Sequence, residues 1–132
     1  MNEIILVLVS MIFCHVIDDY VLQSFCLCNL KQRSWWEANT SDSKYRHDYL
    51  VGLLMHSLSW AFMVMLPIII VLRGELNWLW ILLPANCAIH FIVDDTKANK
   101  KKINLIQDQL IHLTQIVITW ILYIAYITKI LC

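Results

Sequence analysis

The chain is 132 residues long, 60% apolar and only 15% charged, with ten basic residues balancing ten acidic ones. Apolar content this high, gathered into long blocks, excludes a disordered chain and an ordinary soluble domain. Two glycines exclude a glycine-rich phosphate loop, and the absence of net charge gives nothing to recruit nucleic acid.

Four apolar blocks follow in chain order, and the expectation is an all-α integral membrane bundle of four transmembrane helices forming a single domain over 1–132. The first block runs over about 4–30 and is interrupted by His15, Asp18, Asp19 and Gln23. It lacks a leading basic residue and a small-residue cleavage site, so it reads as a retained span rather than a signal peptide. The second runs over 50–72, with His56 near its start and Pro67 near its end. The third covers 76–93 and carries Pro84 and His90; the fourth covers 105–131 and opens with Asp108, Gln109 and His112. Each is near the ~20 residues that a helix needs to cross a bilayer. The stretches 31–49 and 94–102 read as loops, and Arg73–Gly74–Glu75 as a tight turn.

Eight of the ten basic residues (Lys31, Arg33, Lys44, Arg46, Lys97, Lys100, Lys101 and Lys102) fall in those two loops. The positive-inside rule then puts both loops in the cytoplasm and both termini outside, in a multi-pass membrane protein. Trp35 and Trp36 on one side, and Trp78 and Trp80 on the other, suit interfacial belts. Five cysteines, Cys14, Cys26, Cys28, Cys87 and Cys132, have no zinc-knuckle spacing and read as small hydrophobes.

Ionisable groups inside a span cost ~2.5–3.5 kcal/mol each on insertion scales, so they tend to face a bundle interior and to act there. On the first helix His15, Asp19 and Gln23 recur at i, i+4 and i+8; on the third, His90, Asp94 and Lys97 at i, i+4 and i+7. The fourth offers Asp108 and His112 four apart, and the second His56. With alternating helix directions, all seven His and Asp positions fall in one layer near the cytoplasmic face. The first and third helices also look like copies, which hints at two hairpins related by a pseudo-twofold axis.

Imidazole and carboxylate at i and i+4 can reach one ion from a single helix, as in di-metal bundles. The expected metal ligands are His15, Asp19, His56, His90, Asp94, Asp108 and His112, holding one or two divalent ions, with zinc or manganese favoured. Such an ion would activate a water for hydrolysis. Asp108 is the expected general base, and Asp19 and Asp94 are the other candidate catalytic carboxylates. Lys31, Lys97, Gln23 and Gln109 are expected to bind substrate, an anionic head group or phosphate at the membrane surface. Asp18 and Asp95, rotated ~100° from their neighbours, are set aside, with Asp18 kept as a partner behind a ligand. His47, between Arg46 and Asp48, reads as a loop residue.

The ordered set His15-x-x-x-Asp19-x-x-x-Gln23, Lys31, His56, His90-x-x-x-Asp94-x-x-Lys97 and Asp108-Gln109-x-x-His112 resembles a family of small bacterial and phage membrane proteins of uncharacterised function. More distantly, it is similar to membrane-bound metal-dependent hydrolases. The resemblance implies a helical membrane fold with a metal site; the Asp18–Asp19 and Asp94–Asp95 doublets depart from its pattern.

The leading expectation is therefore a membrane-embedded metal-dependent hydrolase, acting on a phosphoester or lipid-linked substrate, with membrane lipid as its surroundings. Two other readings stay open. One is a proton or divalent-ion permeation protein. The other is a non-enzymatic interaction protein that binds a partner membrane protein or further copies of itself.

Overall fold

The computed structural model describes residues 2–23 and 25–128. Its helices are α1 (Asn2–Ile17), α2 (Phe25–Leu30), α3 (Arg33–Asn39), α4 (Tyr49–Val71), α5 (Leu82–Ala98) and α6 (Leu105–Ile127), and no strand occurs among the described residues. Helices α1, α4, α5 and α6 form a ring in which each packs on its neighbours in sequence and α6 closes back on α1. Neighbours run antiparallel: Trp60 of α4 bonds His15 of α1, and the Trp120 indole of α6 donates to the Ile4 carbonyl at 2.9 Å. The turn at Arg73–Gly74 and the described chain ends therefore lie at one end of the ring. The segments 31–48 and 99–104 lie at the other.

Among the described residues, three helical segments, Glu3–Leu22, Ser43–Val71 and Leu105–Ile127, are long and apolar enough to cross a membrane, which corrects the expectation of four. The third block falls short because its first part, Asn77–Ile81, winds as a 3-10 helix. The remaining α-helix has 17 residues and includes Asn86, Asp94, Asp95 and Lys97. That helix runs past Val93, so Asp94–Lys97, expected in a loop, stand on α5.

The first block is corrected as well. It is not one helix over 4–30: α1 passes into a π turn at Asp18–Leu22, closed by Gln23 N–H donating to Asp18 O at 2.9 Å, and α2 starts afresh. The 31–49 segment is not all loop, since α3 and a 3-10 turn at Ser43–Tyr45 lie within it. The expected end of the last span at 129–131, and Cys132, lie outside the described residues.

Local chemistry accounts for the boundaries. Asn104 and Gln107 form a reciprocal capping box that starts α6, with bonds of 2.9 and 3.0 Å. Gly74, at φ +83°, supplies the left-handed residue that reverses the chain after α4. Gly52 serves a close approach instead: a Cβ there would stand 2.8 Å from the backbone C and O of Leu30. That contact seats the end of α2, and with it Lys31, against α4.

The distribution of side chains is inverted relative to a soluble protein. Phe13, Val21, Ile70 and Ile106 are 63–71% exposed, while His90, Asp108 and His112 are fully buried. An apolar rim around a polar interior is what a lipid solvent selects. Nearer the Gly74 end, Val7, Met11, Val64, Met65, Ile68, Leu76 and Leu79 fill the ring with a conventional apolar core. Trp78 and Trp80, partly exposed beside the turn, fit an interfacial belt at that end.

Candidate metal centre

At the loop end of the ring the four helices deliver Asp18, Asp19, His56, His90, Asp94, Asp108 and His112 into one buried layer, together with His15. The i, i+4 pairs read from the sequence meet across the ring rather than only along each helix. Asp94 Oδ1 lies 3.7 Å from His90 Nε2 and 3.6 Å from His112 Nε2. His112 Nε2 lies 3.4 Å from Asp108 Oδ1. Asp94 Oδ2 lies 3.4 Å from His56 Nε2, which in turn stands 3.6 Å from Asp19 Oδ1.

These spacings are long for hydrogen bonds between ionised groups, which close to ~2.7–2.9 Å. The same carboxylates show how short a true ion pair is here: Lys31 Nζ sits 2.6 Å from Asp94 Oδ2, and Lys97 Nζ 2.6 Å from Asp108 Oδ2. Donor atoms ~2.0–2.2 Å from a tetrahedral ion stand roughly 3.3–3.6 Å apart. The imidazole–carboxylate distances thus match the edges of a coordination polyhedron. Asp19 Oδ1, Asp108 Oδ1 and His112 Nε2 are buried without any hydrogen-bond partner, a costly condition that a cation relieves. Two sets of three converge to ligand range, Asp19–His56–His90 and His90–Asp94–His112.

Charge points the same way. Asp18, Asp19, Asp94 and Asp108 face Lys31 and Lys97, leaving two net negative charges when the imidazoles are neutral, as ligation requires. One divalent cation balances them. Uncompensated, two charges in a low-dielectric interior would be strongly destabilising.

The residues behind the layer fix its geometry. Trp60, fully buried on α4, donates its indole N–H to His15 Nδ1 at 2.8 Å. An indole can only donate, so His15 carries its proton on Nε2, which donates to Gln109 Oε1 at 3.2 Å. The Gln109 amide then donates to Asp108 Oδ2 at 3.1 Å and to Asp19 Oδ2 at 3.4 Å. Both nitrogens of His15 are committed to these bonds, which leaves it no free lone pair to offer a cation. The Trp60 face also stacks on His90 with centroids 4.3 Å apart, and His90 stacks on His112 at 4.2 Å. Stacking takes the place of the usual bond to Nδ1, which has no partner in either histidine.

The residues expected to bind substrate are already engaged within the protein. Lys31 and Lys97 hold Asp94 and Asp108, Gln109 belongs to the relay, and Gln23 accepts from Lys31 Nζ while donating to the Asp19 carbonyl at 3.1 Å. Asp18, set aside on helical geometry, is buried: the π turn brings both aspartates inward. Ser59 Oγ donates to Asp18 Oδ1 at 2.5 Å, and Asp18 Oδ2 faces His56 Nδ1 at 3.5 Å. Asp95 pairs outward with Lys100 at 2.7 Å, and His47 is exposed.

Trp60 and Ser59 escaped the sequence reading. An indole in mid-helix, far from either interfacial belt and four residues from His56, was the available signal. A second buried polar set, Asn86, Gln115 and Thr119, lies farther along α5 and α6: Gln115 donates to Asn86 O at 2.8 Å, and Asn86 donates to Thr119 Oγ1 at 3.1 Å.

Compared with known proteins, the chain matches no curated protein and no solved structure. The match found carries no likeness to a hydrolase. It covers residues 7–131, nearly the whole chain, and on that extent the protein belongs to the family described as "Protein of unknown function (DUF3307)".

Proposed function

We propose that the protein is a membrane-embedded hydrolase that uses a divalent cation held by His90, Asp94 and His112. The observation that carries this reading is the set of buried imidazole and carboxylate atoms spaced 3.4–3.7 Å apart, with Asp108 Oδ1 and His112 Nε2 left without a hydrogen-bond partner. Three protein ligands with a fourth position free is the arrangement of hydrolytic zinc sites. A cation bound there would polarise a substrate oxygen and bring a water near neutral pKa.

The chain's own groups supply the rest. Asp108 Oδ1, unpartnered and 3.4 Å from His112 Nε2, is placed to accept a proton from a water on that face. Lys97 and the Gln109 amide hold its other oxygen and keep Oδ1 aimed inward. The Trp60–His90–His112 stack excludes water from behind the ligands. Lys101 and Lys102, exposed on the segment at the same end as the ion-paired Lys31 and Lys97, are the cations that a phosphoester would meet on entry, so a lipid-linked or membrane-surface phosphoester is the favoured substrate.

A bacterial inner membrane with the basic loops in the cytoplasm is the proposed setting. The arrangement of the basic segments at the metal end and the chain ends at the other supports it.

The test is metal analysis of the detergent-purified protein beside His90→Ala, followed by hydrolysis assays on lipid phosphoesters, nucleotides and peptides. Zinc or manganese present in the wild type, lost in His90→Ala, with turnover abolished in Asp108→Asn, is the expected result. A fully loaded protein inert on all three substrate classes would end the hydrolase reading.

A further inference from the structure

We propose a second cation position beside the first, formed by Asp19 and His56 and joined to it through Asp94, whose two carboxylate oxygens point to different positions. The proposal rests on the His90–Asp94–His112 site above and extends it to a dinuclear centre. Asp94 Oδ1 faces His90 and His112, at 3.7 and 3.6 Å; Asp94 Oδ2 faces His56 Nε2 at 3.4 Å. Asp19 Oδ1 completes the second set, 3.6 Å from the same His56 nitrogen.

The contacts around His56 offer a second place for a cation. His56 Nδ1 stands 3.5 Å from Asp18 Oδ2, and Ser59 holds the other oxygen of that carboxylate. His56 Nε2 is turned towards Asp19 Oδ1 and Asp94 Oδ2, and towards His90 Nε2 3.2 Å away. Asp94 Oδ2 accepts from Lys31 Nζ at 2.6 Å, so of the two carboxylate oxygens it is Asp19 Oδ1 that lacks a donor. Asp19 Oδ1 is the independent sign: its side chain is 10% exposed, and that oxygen has no hydrogen-bond partner. A cation on each side of Asp94 would engage all of these atoms; since the layer's two net negative charges balance one divalent ion, the second would bring its own counter-charge, a bridging hydroxide or an anionic oxygen of the substrate. It would also give Asp18 the role of a carboxylate behind a metal-bound imidazole, which explains why the π turn buries two adjacent aspartates.

The deciding experiment loads the detergent-purified full chain with Mn2+ and measures stoichiometry by equilibrium dialysis, with electron paramagnetic resonance on the same samples. Carboxylate-bridged ions ~3.5–4 Å apart are magnetically coupled. The wild type should bind about two equivalents and give a coupled multiline spectrum. Asp19→Asn and His56→Gln should each keep about one equivalent with an isolated six-line spectrum, and Asp19→Glu should restore coupling. Saturation of the wild type at one equivalent, with an uncoupled spectrum, would overturn the second position and leave the single-ion reading standing. So would two equivalents that Asp19→Asn leaves unchanged, since the second ion would lie elsewhere. Binding of no Mn2+, Zn2+ or Fe2+ would remove both readings. The wild-type spectrum decides the matter even if a variant fails to fold.

Discussion

Trp60→Phe tests the relay that aims the carboxylates. The substitution keeps an aromatic face near His90, where the rings stack at 4.3 Å, and removes the N–H that donates to His15 Nδ1 at 2.8 Å. His15 Nδ1 is then a buried acceptor without a donor, which costs about 1–3 kcal/mol. Loss of ring volume at a residue with no exposed surface adds about 1 kcal/mol. The larger consequence is orientational. With no donor at Nδ1, His15 can flip its proton to that nitrogen, and Gln109 loses the bond that fixes its amide. Asp108 and Asp19 lose a common donor, at 3.1 and 3.4 Å. Removing a partner behind the ligands typically weakens metal binding 10–100-fold. Chelator competition on Trp60→Phe, Gln109→Leu and the double variant measures the effect. The relay predicts that the double variant is about as weak as either single one, so the coupling equals one full loss, about 1.4–2.7 kcal/mol. Strictly additive losses, or a Trp60→Phe affinity within threefold of wild type, would refute the relay.

Three other outcomes follow from the geometry. Lys31→Gln removes the ammonium 2.6 Å from Asp94 Oδ2, so the metal-free protein should lose about 3 kcal/mol, while the added negative charge tightens cation binding; thermal unfolding with and without Mn2+ should show a larger metal-induced rise in Tm than in wild type. Gly52→Ala drives a methyl to 2.8 Å from the Leu30 carbonyl, so α2 must move; thermal unfolding should show a clear drop in Tm, and a trypsin cleavage assay should show faster cutting at Lys31. Asn86→Leu removes the side-chain amide that accepts from Gln115 at 2.9 Å and donates to Thr119 at 3.1 Å, while Gln115 keeps the backbone carbonyl of residue 86 and Thr119 that of Gln115; it should cost about 1 kcal/mol in chemical unfolding, with the cation stoichiometry unchanged because that set is separate from the His and Asp layer.

Much of the centre was legible because helical periodicity is a rigid rule where the helix is regular. His90, Asp94 and Lys97 stand on one face of α5, and Asp108 and His112 on one face of α6, as their spacing requires. On the first helix the rule holds in part. His15 and Asp19 still meet at 3.4 Å and Asp19 reaches His56 and His90, but the π turn at 18–22 brings Asp18 inward as well, which regular helical spacing does not predict. His15 shares the i, i+4 offset of His90, yet it bonds to Trp60 and Gln109. Spacing places a side chain on a face and cannot say which of two polar partners reaches it first. The count of spans erred for a related reason. Hydropathy over 76–93 does not reveal that Asn77–Ile81 winds as a 3-10 helix, nor that α5 continues to Ala98 with a charged end.

The depth of the layer also bears on what the protein does with a cation. His56, His90 and His112 lie at the end of the ring that carries Lys31, Lys97 and the connecting segments, so an ion reaches them from that side. Beyond them the ring closes on Trp60 and then on Met11, Val64, Met65, Ile68 and Ile116, all with no exposed surface. The Asn86–Gln115–Thr119 set extends polarity part of the way, but its bonds are directed among its own members. A permeating ion needs polar ligands on both sides of the bilayer midplane. Here the buried His and Asp side chains stop at the indole of Trp60, the same residue whose N–H bonds His15 and whose face stacks on His90, and beyond it lies the amide and hydroxyl set of Asn86, Gln115 and Thr119. The group that narrows the ring is therefore the one that bonds His15 and supports His90, an arrangement that would suit holding a cation in place better than passing it on.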